Sequence, residues 1–346
     1  VALVRREVVK KYIVILAALL GYFCVNVHDI TGYQYPAQYY NYAEHYNYDT
    51  GIVIIAYNRP HYFKQVVDSL VENAEAQTLP FFFVLDGGIH ATQQENIEII
   101  NNADIKTKYI IARDHNYGCG HNILDARRFM FEWCGFEKVF VFEDDMIVSP
   151  QYISLVLNVY RWAQESYDNV GAVQAIRVDS HANNKTQKLN GVCDSFDQWW
   201  AYCMDKRAYY AIKEMMDEYE DRFLLNWPQD ILNRPAIAGW MCEYNSKPIM
   251  SSSKAFPAWL NYSQLFNKRI NYMRKCRRHR DGQDVETHFA FYKAGLVKIT
   301  TVVPRACYIG KFGMLYTPRL WQLRGHKDEV LNCYAEDINR NQFVVC

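Results

Sequence analysis

Four short apolar runs, each followed by a polar turn and then by apolar residues at helical spacing, limit this chain to one kind of fold. "GIVIIAY" (51–57), "LPFFFVLDGG" (79–88), "KYIIARD" (108–114) and "KVFVFEDD" (138–145) are rich in β-branched and aromatic residues without polar alternation. That is the pattern of strands buried on both faces. After them come "HYFKQVVDSLVENA", with Phe63, Val66, Val67 and Leu70 on one helical stripe, "TQQENIEIINNA" and "GHNILDARRFMFEWCG". The spacing predicts helices there. Alternation of this kind predicts an α/β domain with a mainly parallel central sheet flanked by helices. In such sheets ligands bind beyond the carboxyl ends of the strands. Those ends carry Asn58-Arg59, Asp86-Gly87, Arg113-Asp114 and Glu143-Asp144-Asp145, all able to serve a ligand.

The last of these ends is the most demanding. A buried strand running into three acids needs a positive partner, because neighbouring carboxylates repel and burial disfavours their charge. Carboxylate oxygens suit Mn²⁺ or Mg²⁺, which keep waters and substrate phosphates as further ligands. Such a cation also neutralises charge on a departing phosphate. The plain alternative is a strand end whose acids are solvated or salt-bridged.

The stretches "VIIAYNRPHYFKQVVDSL", "FVLDGG", "NYGCGHNILDARRFMFE" and "VFVFEDDMIVSPQYI" together resemble nucleotide-sugar transferases of the GT-A fold. The nearest likeness is to the family of N-acetylglucosaminyltransferase I and protein-O-mannose N-acetylglucosaminyltransferase. It covers roughly residues 50–315 and is strongest over 50–160. The resemblance implies a GT-A catalytic domain over 50–346, with a nucleotide-binding lobe (50–150) and an acceptor-binding lobe (151–346). It implies Asp145 as the metal ligand, with Glu143 and Asp144 near the sugar and ribose of the donor. Arg59 would meet the nucleotide, Asp86 would accept the uracil N3–H, and Asn116 and Gly118 would line the nucleotide pocket. Arg59 and Asp86 also sit in good turn sequences. Trp199 and Trp200 match the place that faces the donor sugar, where indole faces can stack, although paired Trp also suits a core. "YIGKFGMLYTP" (308–318) resembles the loop that closes near the pyrophosphate.

Inverting transfer needs a base for the acceptor hydroxyl. By the same resemblance Asp284, in "RDGQDVETHFAFYKAG", occupies its place, with Asp281 and Glu286 as alternates. The family's Trp beside that acid is missing here, and the acids would also suit a helix start. A family disulfide is absent too, since Tyr57 and Gly87 stand near its two positions.

The expected activity is an inverting, Mn²⁺-dependent transfer of a sugar from a UDP-sugar to a glycan; the resemblance implies GlcNAc as the sugar and a mannose-containing glycoprotein as the acceptor. The alternatives are a family-two-like transferase of another UDP-hexose to a polysaccharide, and an inactive sugar-binding relative. A formal charge of zero gives no global attraction to nucleic acid. Seven Lys/Arg in 268–280 suggest donor steering or simply a solvated face.

At the start, "RREVVKK" precedes the uncharged run Tyr12–Val27, about 24 Å long as a helix and slightly short of a membrane core. Residues 1–27 are expected to be a basic flank plus a signal-anchor helix, leaving the body across the membrane. A cleaved signal peptide and a buried segment are the rivals. The Tyr-rich stretch 28–49 reads as a spacer. With sequons at Asn184 and Asn261, this suggests a type II Golgi membrane protein. The ten cysteines show no zinc spacing, and their pairing is not legible.

Overall fold

The computed structural model describes residues 27–28, 34–35, 48–176, 191–196, 199–225, 234–249, 251–258, 260–275, 283–312, 318–319 and 343–345. All of the expected anchor except Val27, most of the spacer, Asn184, Asp281, the end of the basic run and 313–317 lie outside them. Among the described residues no helix is long and apolar enough to cross a membrane.

The four apolar runs form β1 (Thr50–Ala56), β2 (Pro80–Leu85), β3 (Thr107–Ala112) and β4 (Lys138–Glu143). Between them lie α1 (Pro60–Val71), α2 (His90–Asn102) and α3 (Cys119–Arg128). β5 (Met146–Val148), α4 (Tyr152–Ser166), β6 (Val170–Gln174), β7 (Gly191–Asp194) and β8 (Tyr202–Asp205) follow. Then come α5 (Lys206–Tyr219), α6 (Arg234–Asn245), α7 (Tyr262–Lys275), α8 (Asp284–Lys293), β9 (Val297–Thr301), β10 (Ala306–Tyr308) and β11 (Val344–Val345). Among the described residues nine strands make one sheet in the order β11-β7-β9-β6-β8-β4-β1-β2-β3, while β5 and β10 pair in a separate ladder. β3, β2, β1 and β4 run parallel, and β8 inserts antiparallel between β4 and β6. The architecture is therefore α/β with a mainly parallel sheet flanked by helices.

The strands alternate residue by residue between two cores, as a pleated sheet covered on both faces requires. Val53, Ile55, Phe82, Val84, Val139 and Val141 face one core, shared with α3, α5, α6, α7 and α8. Ile52, Ile54, Phe81, Phe83, Phe140 and Phe142 face the other, shared with α1 and α4. Pro60 at the first position of α1 starts that helix without wasting a donor. Asp205 caps α5 by accepting from Ala208 N. Asn261 accepts from Gln264 N at the start of α7, so one sequon has a local capping job. Two helices end in π turns, Phe129–Trp133 after α3 and Glu220–Leu224 after α5.

Candidate active site

The chain leaves β1 for β2 and β3 on one side, then returns to β4 on the other. At such a reversal the loops beyond the strand ends part and open a crevice. β1 contributes Arg59 to it, and β4 contributes Glu143, Asp144 and Asp145. Arg59 precedes Pro60, which keeps its backbone out of the helical region (φ −124°, ψ 62°). Its guanidinium reaches from the end of β1 to the end of β4, bonding Asp144 and lying 2.8 Å from Asp145 Oδ2.

Thus the positive partner of the strand-end acids in this structure is Arg59. Burial opposes its charge, but the Asp145 and Asp144 carboxylates outweigh that and hold it firmly protonated. One guanidinium does not balance the site. Burial, then the charges of Asp145, Asp284 and Asp144, pushes the Glu143 carboxyl well above its usual range. Burial pushes Asp145 to about 6, with Arg59 pulling against it and Asp144 adding to it. Asp144 and Asp145 are 4% and 5% exposed, and Asp144 Oδ2 and Asp145 Oδ1 are buried without hydrogen-bond partners. Among the described residues no three His, Cys, Asp or Glu side chains converge as a metal cage. Two hard, unpartnered carboxylate oxygens nevertheless fit a cation that takes its remaining ligands from substrate and water.

Further residues shape this end of the crevice. Ile309 N donates to Asp145 O at 2.9 Å, which lays the loop after β10 against the acids. A Cβ on Gly310 would stand 2.7 Å from Asp145 Oδ2, so only glycine lets that backbone come so close. Cys119, the first residue of α3, is solvent-exposed beside the acids. Its Sγ lies 4.0 Å from Glu143 Oε2. Desolvation, then Glu143, Asp284, Asp145 and Asp144, raise its thiol well above the usual range.

Asp86 stands at the end of β2, 5% exposed. Its Oδ1 accepts from Gly87 N and Tyr117 N at 3.0 and 2.7 Å, and its Oδ2 from Gly118 N at 3.2 Å. Burial raises its carboxyl, and these amides pull the other way. Asp86 therefore organises the 116–118 loop, and what remains for a base is the second lone pair of Oδ2. Asn116 Oδ1 also accepts from Gly118 N, at 2.8 Å, and Gly118 takes φ +77° to enter α3. A Cβ on Gly87 would meet Arg113 O, His115 N and His115 O at 2.6 Å each, all backbone atoms that cannot swing aside. Gly87→Ala is expected to lower the unfolding free energy by about 2 kcal/mol, read by urea denaturation.

Arg113 departs from expectation. It is buried, paired with Asp125 of α3, and bonded to Asn122 Oδ1, so it anchors α3 rather than meeting a ligand. The paired tryptophans differ similarly. Trp199 is 1% exposed and ringed by Tyr202, His288 and Phe291, which leaves no face open to a sugar. Its Nε1 donates to His288 Nδ1. Trp200 stacks on Tyr308 at 4.5 Å and 11° and is also buried. Both serve the core, as adjacent Trp often do. Between Trp200 and β8, Ala201 takes φ +43°, a left-handed turn that non-glycine residues resist.

Of the base candidates, Asp284 opens α8 half-buried, and its charge reaches Glu143, Cys119 and Tyr202. Glu286 is 1% exposed inside the same helix, out of an acceptor's reach. A concavity of 350 Å³ lies elsewhere, bordered by Phe223, Gly239, Trp240 and Glu243, and does not include the acids. Cys119, Gly310 and Gln283 were not singled out from the sequence as site residues. Only Gly310 had a local signal, a glycine in the loop after the last strand of the main body.

No protein-family model matches the chain, and no curated protein matches it significantly. Solved structures similar to part of it include S. aureus TarS, at 12% identity over 47% of this chain and 29% of that one, TM-score 0.35. The mannosyltransferase PcManGT from Pyrobaculum calidifontis, in complex with GDP-Man and Mn²⁺, is 15% identical over 47% and 46%, TM-score 0.36. Glucosyl-3-phosphoglycerate synthase from Mycobacterium tuberculosis, in complex with Mn²⁺, UDP and phosphoglyceric acid, is 12% identical over 52% and 67%, TM-score 0.32. The chain spans less than half the length of the first two. Likeness at these scores decides neither fold family nor reaction, so the chemistry must be read from the crevice.

Proposed function

We propose that the chain is a glycosyltransferase of the GT-A type that moves a sugar from a nucleoside diphosphate donor to a glycan hydroxyl, with inversion and with Mn²⁺ or Mg²⁺. One observation carries the reading. At the reversal point of the sheet, Asp144 and Asp145 share the Arg59 guanidinium, Glu143 lies within reach of their charges and of Asp284, and two buried carboxylate oxygens lack partners. Asp145 and Asp144 would hold the cation, which supplies neutralisation of a departing diphosphate.

The chain's own groups do the remaining work. Arg59 exchanges a carboxylate for diphosphate oxygens, which its planar fork suits. The 116–118 loop, tied down by Asp86, borders the nucleoside. Glu143 meets the sugar hydroxyls, and Asp284 takes the proton of the attacking acceptor hydroxyl at a carboxylate oxygen. Following the sequence resemblance, UDP-GlcNAc is the donor and a mannose-bearing glycan the acceptor in this proposal.

A second reading, a relative that binds sugar without turnover, is favoured by Arg59, which already pairs with both Asp144 and Asp145. Calorimetric titration of UDP, UDP-GlcNAc, UDP-Gal and UDP-Glc with and without Mn²⁺ separates the two. Mn²⁺-dependent binding together with UDP release supports the transferase. Binding indifferent to Mn²⁺, with no UDP released, supports the second reading, and no binding to any nucleotide sinks the transferase.

A further inference from the structure

We infer that Arg127 is a positioning residue for Asp284, acting through Gln283; the inference rests on the function proposed above. Arg127 lies in the third turn of α3 and is 1% exposed. A buried guanidinium is costly to hold unless its donors are engaged. Here Nε donates to Tyr202 Oη at 2.6 Å, Nη1 to Thr287 Oγ1 at 3.2 Å, and Nη2 to Gln283 Oε1 at 3.2 Å. The group also lies over the Tyr202 and Trp199 rings, 5.2 and 5.8 Å from their centroids. These three acceptors are uncharged and belong to β8 and to the start of α8.

Gln283, itself 1% exposed, is the cap residue of α8. Its Oε1 accepts from both Arg127 Nη2 and Thr287 Oγ1, the latter at 2.6 Å. Two donors on the oxygen settle which way the amide faces. Its Nε2 is thereby turned toward Asp284 and donates to Oδ1 at 2.9 Å. With Oδ1 held by that fixed donor, the direction of the other carboxylate oxygen of Asp284 is set. A base also works only when aimed. The relay starts beside the site as well: a Cβ on Gly120, next to Cys119, would lie 3.9 Å from Gln283 Cβ.

The test measures UDP release from a UDP-sugar in water, with the full chain and Mn²⁺, for wild type, Gln283→Leu, Arg127→Gln and the double variant. Each single change is expected to lower kcat about tenfold and leave the donor KM unchanged, with the double variant no worse than either single one. A parallel fall of kcat, donor affinity and melting temperature, or additive losses, would mean a structural role only and overturns the inference. If wild type releases no UDP, the transferase reading fails on its own account. Positioning is then decided by iodoacetamide labelling of Cys119, followed by peptide mass spectrometry. Gln283→Leu should speed labelling at least about twofold as the Asp284 charge leaves the thiol; an unchanged rate overturns the inference.

Discussion

Asp145→Asn is expected to abolish Mn²⁺-dependent UDP binding and to slow UDP release from a UDP-sugar by about 10³-fold or more, while making the ligand-free protein more heat-stable. The first half follows from charge. Asp145 is a buried carboxylate with one oxygen on Arg59 and the other without a partner, and a cation in that place supplies several kcal/mol of help to a departing diphosphate. The second half follows from the same burial. The folded carboxyl sits near 6, above its ordinary 3.8. A raised acid binds more protons folded than unfolded between those values, so stability is fully present below about pH 3.8 and falls as pH rises through 6. At pH 7 the ionised side chain is therefore a cost, and asparagine removes it while Asp144 keeps Arg59 paired. The net gain should be about 1 kcal/mol, a rise of a few degrees in Tm. Thermal scans from pH 4 to 7 should show wild type losing stability across that window more steeply than the variant. Mn²⁺ with UDP should raise the wild-type Tm and leave the variant unmoved. A variant that still binds UDP only with Mn²⁺ would remove Asp145 from the site.

The parallel half of the sheet was legible because its strands carry their own signature. Runs such as "FFFVL" and "VFVF" are apolar at every position, short, and rich in β-branched and aromatic residues, which together mark a strand buried on both faces. Each of the four expected strands starts within one residue of its observed first residue, and the quoted stretches run one to three residues past the observed ends into the polar turns. β8 escaped notice because "YCMD" lies directly between the tryptophans and a strong helix, with no turn residues to mark it off. Its place between β4 and β6 is a tertiary fact, set by pairing of Tyr202 with Val141 and Gln174. The acids were equally readable, since three carboxylates at a buried strand end violate the local rules. The identity of their partner was not, because Arg59 is 85 residues away and reaches them only after β1 and β4 pair. Trp199 misled for the converse reason. An indole looks the same in sequence whether a sugar or Phe291 covers it, and only the fold places His288 beside its N–H. Gln283 had no signal at all, as its meaning lies in which way its amide faces.

Asp284→Asn should separate binding from chemistry. If Asp284 takes the acceptor proton, the change lowers kcat for UDP release by about 10²–10⁴-fold, the range lost with a positioned base. The donor KM and the UDP affinity should hold, since neither Arg59 nor the Asp144–Asp145 pair is touched. The neighbouring acids provide the comparison. Glu286 lies buried in the same helix, so Glu286→Gln should act on stability and not selectively on kcat. Glu143 is the serious competitor, being half-buried, beside Cys119 and close enough to feel Asp284. Yet burial and three neighbouring carboxylates favour its protonated form, which makes it a better hydrogen-bond donor to a sugar hydroxyl than a proton acceptor. Glu143→Gln, which keeps a donor, should therefore weaken transfer far less than Asp284→Asn. The opposite ranking, with Glu143→Gln the more damaging in kcat at unchanged donor affinity, would move the base from the start of α8 to the tip of β4.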